Sequence, residues 1–260
     1  MNVEKYGMIF QMAREYLLNF VSEDVLKQQL ELGLNKKPNS IAELFRGLLG
    51  SLSNRGSMQN SIGDIDNLKS FLFDFEPSLI VEEYGDDWRR LFDIIKENYT
   101  PPTKMESNNK KSYWVIFVKG IISGAKFLSR FASIEDFADF VNIYYLNENK
   151  LVDLPMLLAQ EIHGFGFALA CDFLKENGYP KYIKPDVHIK YIFNGIGISN
   201  STDDYQVFKD VIRFSREINE VPYVVDKMFW LIGSGNFYQS GMKIRTNRDE
   251  FIKKVTKSIK

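Results

Sequence analysis

Apolar side chains return every three or four positions along almost the whole chain, as in Ile9, Met12, Ala13, Tyr16, Leu17 and Phe20, or in Phe137, Phe140, Val141, Tyr144 and Tyr145. This spacing lines one face of a 3.6-residue helix, whereas the period-2 alternation of a half-buried strand is scarce. The chain is therefore expected to be all-α. Start signals agree with that reading. Ser40 stands three residues before Glu43 in the order of a capping box, and Ser133 and Ser201 precede the acidic pairs Glu135/Asp136 and Asp203/Asp204 that suit a first helical turn. The polar stretch from Thr100 to Lys111, with Pro101 and Pro102, reads as a surface loop with a basic end at Lys110 and Lys111, and residues 194–201 read as a turn.

At 260 residues with 45% hydrophobic content, the chain can bury one substantial core or two lobes, and we expect a single two-lobed unit. The lone cysteine, Cys171, rules out a disulfide framework and a cysteine-built metal site, and fits a reducing compartment. No basic-then-apolar leader and no run of eighteen apolar residues occur, so neither a signal peptide nor a membrane span is expected, and the location expected is cytoplasmic. Lys and Arg number 33 against 34 Asp and Glu, a formal charge of −1, so any contact with nucleic acid must be local.

Residues 161–193 carry the densest chemistry. A helix from about Leu154 to His163 is followed by Gly164-Phe165-Gly166 and by a second helix from about Phe167 to Asn177. Two glycines allow a close backbone approach, and the free N–H groups opening the second helix suit an anion such as a phosphate. A glycine-turned pair of helices with packing duty alone has the same residues. Twenty residues after Gly166, Lys184-Pro185-Asp186-Val187-His188 opens a new helix, and a carboxylate at that start is favoured in its charged form by the helix dipole. Asp186 can thus act on a sugar whose phosphate the hairpin holds.

This hairpin, spacing and Pro-Asp-x-His setting resemble the helix-hairpin-helix (HhH-GPD) DNA glycosylase superfamily, and within it the 8-oxoguanine branch. The resemblance implies an all-α fold of two helical lobes with a helix-hairpin-helix motif flanking a central cleft. One lobe spans about 41–180 and ends in the motif; the other combines about 1–40 with 181–260. It implies that Gly164, Phe165, Gly166 and Ala168 contact the DNA backbone, that Asp186 is the catalytic carboxylate, and that His188 and Lys184 support it. Upstream, Ser53, Asn54 and Arg55 stand where the family delivers side chains into the duplex to fill the space of an extruded base; read by themselves they are a solvated turn. The helix containing Phe229 and Trp230 looks like the one that walls the base pocket, with Trp230 able to stack on a base. An aromatic stripe of this kind also serves as plain core.

One position departs from the pattern. The lysine with which bifunctional relatives form a Schiff base falls on Ala168, which has no amine. The resemblance therefore implies a monofunctional glycosylase that hydrolyses the N-glycosidic bond of a flipped-out damaged or modified base, such as an oxidised purine, in duplex DNA. It implies no required cofactor, room for a monovalent cation at the hairpin, and no iron–sulfur cluster, which needs four cysteines. Two alternatives stay open: a protein that kept the fold, lost turnover and binds nucleic acid or a nucleotide, and a base-modifying or defence enzyme on the same fold. His163 and His188 lack a clear third and fourth ligand, so no metal site is expected, and no Gly-x-Ser-x-Gly elbow occurs. The run from Glu82 to Asp87 reads as a cap before Trp88.

Overall fold

The computed structural model describes residues 3–34, 36–56, 58–238 and 240–259. In chain order the helices are α1 (Val3–Leu18), α2 (Glu23–Glu31), α3 (Ile41–Ser53), α4 (Met58–Ile62), α5 (Pro77–Tyr84), α6 (Trp88–Asn98) and α7 (Tyr113–Leu128). They continue with α8 (Ile134–Tyr145), α9 (Asp153–Glu161), α10 (Phe167–Glu176), α11 (Val187–Gly195), α12 (Asp204–Glu217), α13 (Pro222–Ser234) and α14 (Arg248–Ser258). Two 3₁₀ segments, Ile65–Phe75 and Glu148–Lys150, and a two-stranded antiparallel ribbon, Asn236–Phe237 with Met242–Lys243, complete the regular elements among the described residues. The fold is all-α.

Local chemistry sets most helix starts. Ser22, Ser40, Asp87, Ser133, Asp186, Asp203 and Asn247 each accept a backbone N–H from the first turn that they cap. Pro77 and Pro222 open α5 and α13, where a missing N–H costs nothing. The expected start at Ser201 is corrected by two residues: Asp203 caps α12, and the Ser201 hydroxyl accepts the Asp203 N–H at 3.1 Å, holding the turn before the helix.

The chain divides into two compact units, residues 37–173 and residues 1–36 with 174–260. The first is built on α7, whose Val115, Phe117, Val118, Ile121 and Ala125 are buried and which packs against α3, α5, α6 and α9. Phe127, Phe131, Phe137 and Phe140 form its aromatic cluster. The second unit is built on α13, packed by α1, α2, α11, α12 and α14. The Tyr16 hydroxyl accepts the Asn247 N–H at 2.8 Å, fastening the start of α14 to α1. Among the described residues no helix is long and apolar enough to cross a membrane.

Candidate active site

The hairpin is built from the end of α9 outward. Ile162 leaves the helix with extended backbone, the Phe165 N–H closes a turn onto the Ile162 carbonyl at 3.1 Å, and the Gly166 carbonyl receives the first bonds of α10 from Leu169 and Ala170. Phe165 is turned inward, 6% exposed, with its ring 6.3 Å from that of Phe173. Its backbone, not its side chain, is what the hairpin can offer. Ala168 lies half-buried in the first turn of α10.

The two hairpin glycines do different jobs. Gly164 has φ of +87°, and a Cβ there would stand 2.7 Å from Ile116 Cγ2 and 3.1 Å from Leu52 Cδ1, so α7 and α3 press directly on its backbone. Gly166 is exposed, and a Cβ there would meet nothing within 4 Å. Gly164→Ala is expected to destabilise the protein by roughly 1–3 kcal/mol through left-handed strain and overpacking, and Gly166→Ala by less than about 1 kcal/mol. Urea midpoints of the two variants check this.

The turn after α3 is fastened to the hairpin. Arg55 Nη1 donates to the Gly164 carbonyl at 2.8 Å, Asn54 Nδ2 donates to Asp172 Oδ2 of α10 at 2.9 Å, and Gln59 donates to Asn54 Oδ1. Asn54 and Arg55 are exposed. Ser53 is not: it is 5% exposed, and its hydroxyl donates to the Gly50 carbonyl at 2.7 Å, as helix-end serines do. Its expected delivery into a duplex is corrected to a packing role inside the last turn of α3.

Positive charge also gathers here. The His163 N–H bonds Ser123 Oγ at 2.8 Å, and its imidazole is held below the ordinary histidine range by partial burial and by the nearby Lys119 and Arg55 cations. Lys119 projects from α7 over the Trp88 ring at 4.8 Å. Arg55, Lys119 and His163 come from three elements far apart in sequence, so their convergence was invisible to spacing.

In the other unit, Asp186 is the N-cap of α11. Its Oδ1 accepts the N–H groups of His188 at 2.9 Å and Ile189 at 3.0 Å, while Oδ2 has no partner among the described residues. The capping bonds explain the Pro-Asp-x-His setting physically. Pro185 cannot continue a helix backward, and the aspartate begins the next one. The His188 side chain packs on the backbone of Gly233, where a Cβ would stand 2.5 Å from the histidine Cβ, and its buried Nδ1 has no hydrogen-bond partner among the described residues. Lys184 donates its backbone N–H to Asp226 Oδ2 at 2.9 Å.

Trp230 is half-buried, with its ring 6.1 Å from Tyr238. Phe229 is corrected from pocket wall to core: it is 0% exposed and sits among Phe193, Phe214 and Phe251 with centroids 5.0, 5.8 and 6.2 Å away. Neighbours on one helix point about a hundred degrees apart, and here the core takes Phe229 while Trp230 lies at its edge.

Sequence reasoning missed two buried lysines. Lys175, at the end of α10, pairs with Asp226 at 2.6 Å, with side chains 5% and 1% exposed. Lys227 bonds Glu176 at 3.2 Å and the Tyr238 hydroxyl at 2.7 Å, and lies over the Tyr223, Trp230 and Tyr238 rings. Burial and the Lys175 ammonium pull Lys227 down, but Glu176, Tyr223 and Tyr238 outweigh them and hold it above its ordinary value. The signal was present, since Asp226-Lys227 interrupts the apolar run Val224-Val225 to Met228-Phe229-Trp230. No group of three or more His, Cys, Asp or Glu residues stands together as a metal site among the described residues.

The crystal structure of the 8-oxoguanine glycosylase/lyase of Methanocaldococcus jannaschii, in complex with a 15mer DNA containing 8-oxoguanine, superposes on 92% of this chain and 100% of its own with a TM-score of 0.54 at 17% identity. The chain has that glycosylase fold. No protein-family model matches the sequence, and no curated protein does. The likeness therefore lies in the architecture, which here carries both the Gly164-to-Gly166 hairpin and the Asp186 cap of α11.

Proposed function

We propose that the protein is a monofunctional DNA glycosylase that hydrolyses the bond between deoxyribose and a flipped-out damaged or modified base, with an oxidised purine as the favoured class. The observation that carries this reading is Asp186: a carboxylate with one oxygen locked by two amides and the other without a partner among the described residues, at the head of a helix in a glycosylase fold. In the proposed reaction the C1′–N bond breaks with its electron pair on the base. Positive charge grows on the sugar, where the Asp186 carboxylate stabilises it, and a water oxygen then bonds C1′ as Asp186 accepts its proton. Trp230 is the side chain proposed to stack on the extruded base, Asn54 and Arg55 are proposed to hold the opened duplex, and His188 and Lys184 support Asp186.

Three positions support hydrolysis over Schiff-base chemistry. Ala168 has no amine, Lys175 is paired with Asp226, and Lys227 is kept as an ammonium, which is not a nucleophile. The reading requires no cofactor. A monovalent cation at the hairpin would share the Gly164 carbonyl with the Arg55 guanidinium.

The test is a panel of duplexes, each with one damaged base, incubated with the protein and then heated in alkali. Strand breaks only after alkali, and no adduct with borohydride, support the reading. Tight duplex binding with no abasic sites on any substrate replaces it by the binding-only alternative, which the missing amine at position 168 favours. Gly166→Ala, which fills the open side of the hairpin, is expected to weaken duplex binding about tenfold, the worth of one hydrogen bond to a charged group.

The hairpin cations give a further expected result. A phosphate near His163 favours its imidazolium, so the complex binds more protons than the free protein and affinity rises as pH falls below about 7. His163→Gln flattens that rise, as anisotropy titrations between pH 8 and 5.5 would read.

A further inference from the structure

Asp226 is 1% exposed in the middle of an apolar helix, and the reaction proposed above does not use it. Its Oδ2 accepts two bonds, from Lys175 Nζ at 2.6 Å and from the backbone N–H of Lys184 at 2.9 Å. The second bond matters for Asp186. Lys184 lies two residues before it, and the Asp186 N–H turns back onto the Lys184 carbonyl at 2.8 Å, with the rigid ring of Pro185 between them. At the other end of the same segment, the Tyr223 N–H bonds the Pro180 carbonyl at 3.0 Å. Helix α13 therefore grips the chain leading to Asp186 at two points, and Asp226 is the one nearer the acid.

We infer that Asp226 is a positioning residue: through the Lys184 N–H it sets where the Asp186 carboxylate stands, and Lys175 fixes the orientation of Asp226 itself. This rests on the reading of Asp186 as the acting carboxylate. An apolar pair of similar volume would pack at least as well as a buried Lys–Asp pair, so stability alone does not account for these charges. The two carboxylates also sense each other. Burial pushes the Asp226 carboxyl up, the Lys175 ammonium and the Lys184 N–H pull it down, and the Asp186 charge adds to the rise.

The test uses two duplexes of one sequence, one carrying a tetrahydrofuran in place of a nucleotide and the other a pyrrolidine. The pyrrolidine ring nitrogen is a cation and imitates the charge that grows on the sugar. Neither duplex carries a base at that site, so the ratio of their affinities reads the charge that faces the sugar, and the Asp186→Asn variant assigns it to Asp186. Wild type is expected to prefer the pyrrolidine duplex on the order of 100-fold, as transition-state mimics are preferred, and Asp186→Asn to lose that preference. The double variant Lys175→Met/Asp226→Leu, which keeps the volume but removes the acceptor for Lys184, is expected to lower the preference about tenfold, in line with a displacement of under 1 Å. Lys175→Gln/Asp226→Asn, whose amide oxygen still accepts the Lys184 N–H, is expected to keep it within about twofold. A folded Met/Leu variant with the wild-type preference overturns this inference alone. A wild type without any preference overturns the reading of Asp186 and the inference with it.

Discussion

Asp186→Asn is expected to slow base release about a thousandfold without unfolding the protein. The loss follows from charge: a carboxylate beside a developing sugar cation, acting also as proton acceptor, contributes about 10²–10⁴-fold, and an amide supplies neither function. The preserved fold follows from the cap. Asp186 Oδ1 receives the His188 and Ile189 N–H groups, and an asparagine oxygen receives them equally well, with only about 0.3–1 kcal/mol of dipole interaction lost. Single-turnover rates from alkali-developed gels, set beside urea midpoints, separate the two effects. A variant rate within about threefold of wild type would remove Asp186 from the chemistry. Asp186→Ala, which loses both charge and cap, is the comparison that should also lower stability, by about 1 kcal/mol.

The second large effect is on stability. Asp226→Ala removes the 2.6 Å partner of the Lys175 ammonium, 5% exposed, and leaves Glu176 at 3.7 Å; breaking a buried pair from one side costs about 3–5 kcal/mol. The denaturation midpoint of that variant should fall well below that of wild type. Lys175→Met/Asp226→Leu should recover most of the loss, because it removes both desolvation penalties together. Equal destabilisation by the single and the double change would mean that packing around position 226, and not its charge, is what matters there.

Part of this protein could be read directly from the order of its residues. Helix periodicity, most of the capping serines and aspartates, the presence of the hairpin and the start of α11 at Asp186 all depend on interactions within about five positions, and such patterns survive in one dimension. The proposed acid belongs to this legible part because the same side chain that would act on a sugar also begins a helix. Phe229 and Trp230 show where that legibility stops. Both fit one apolar stripe, and only packing against Phe193, Phe214 and Phe251 puts Phe229 in the core and leaves Trp230 at its edge. Ser53 reads as a solvated turn until the geometry of the last turn of α3 shows its hydroxyl on Gly50.

What the residue order determined by itself was helical class, hairpin and cap, since these are settled by neighbours along the chain. The tertiary structure alone decided which charges meet: Arg55 with the Gly164 carbonyl across 109 residues, and Lys175 with Asp226 across 51. The reason is physical. A hydrogen bond or ion pair acts over about 3 Å of space, and contacts between residues so far apart in sequence arise only once helices have packed and excluded water around them.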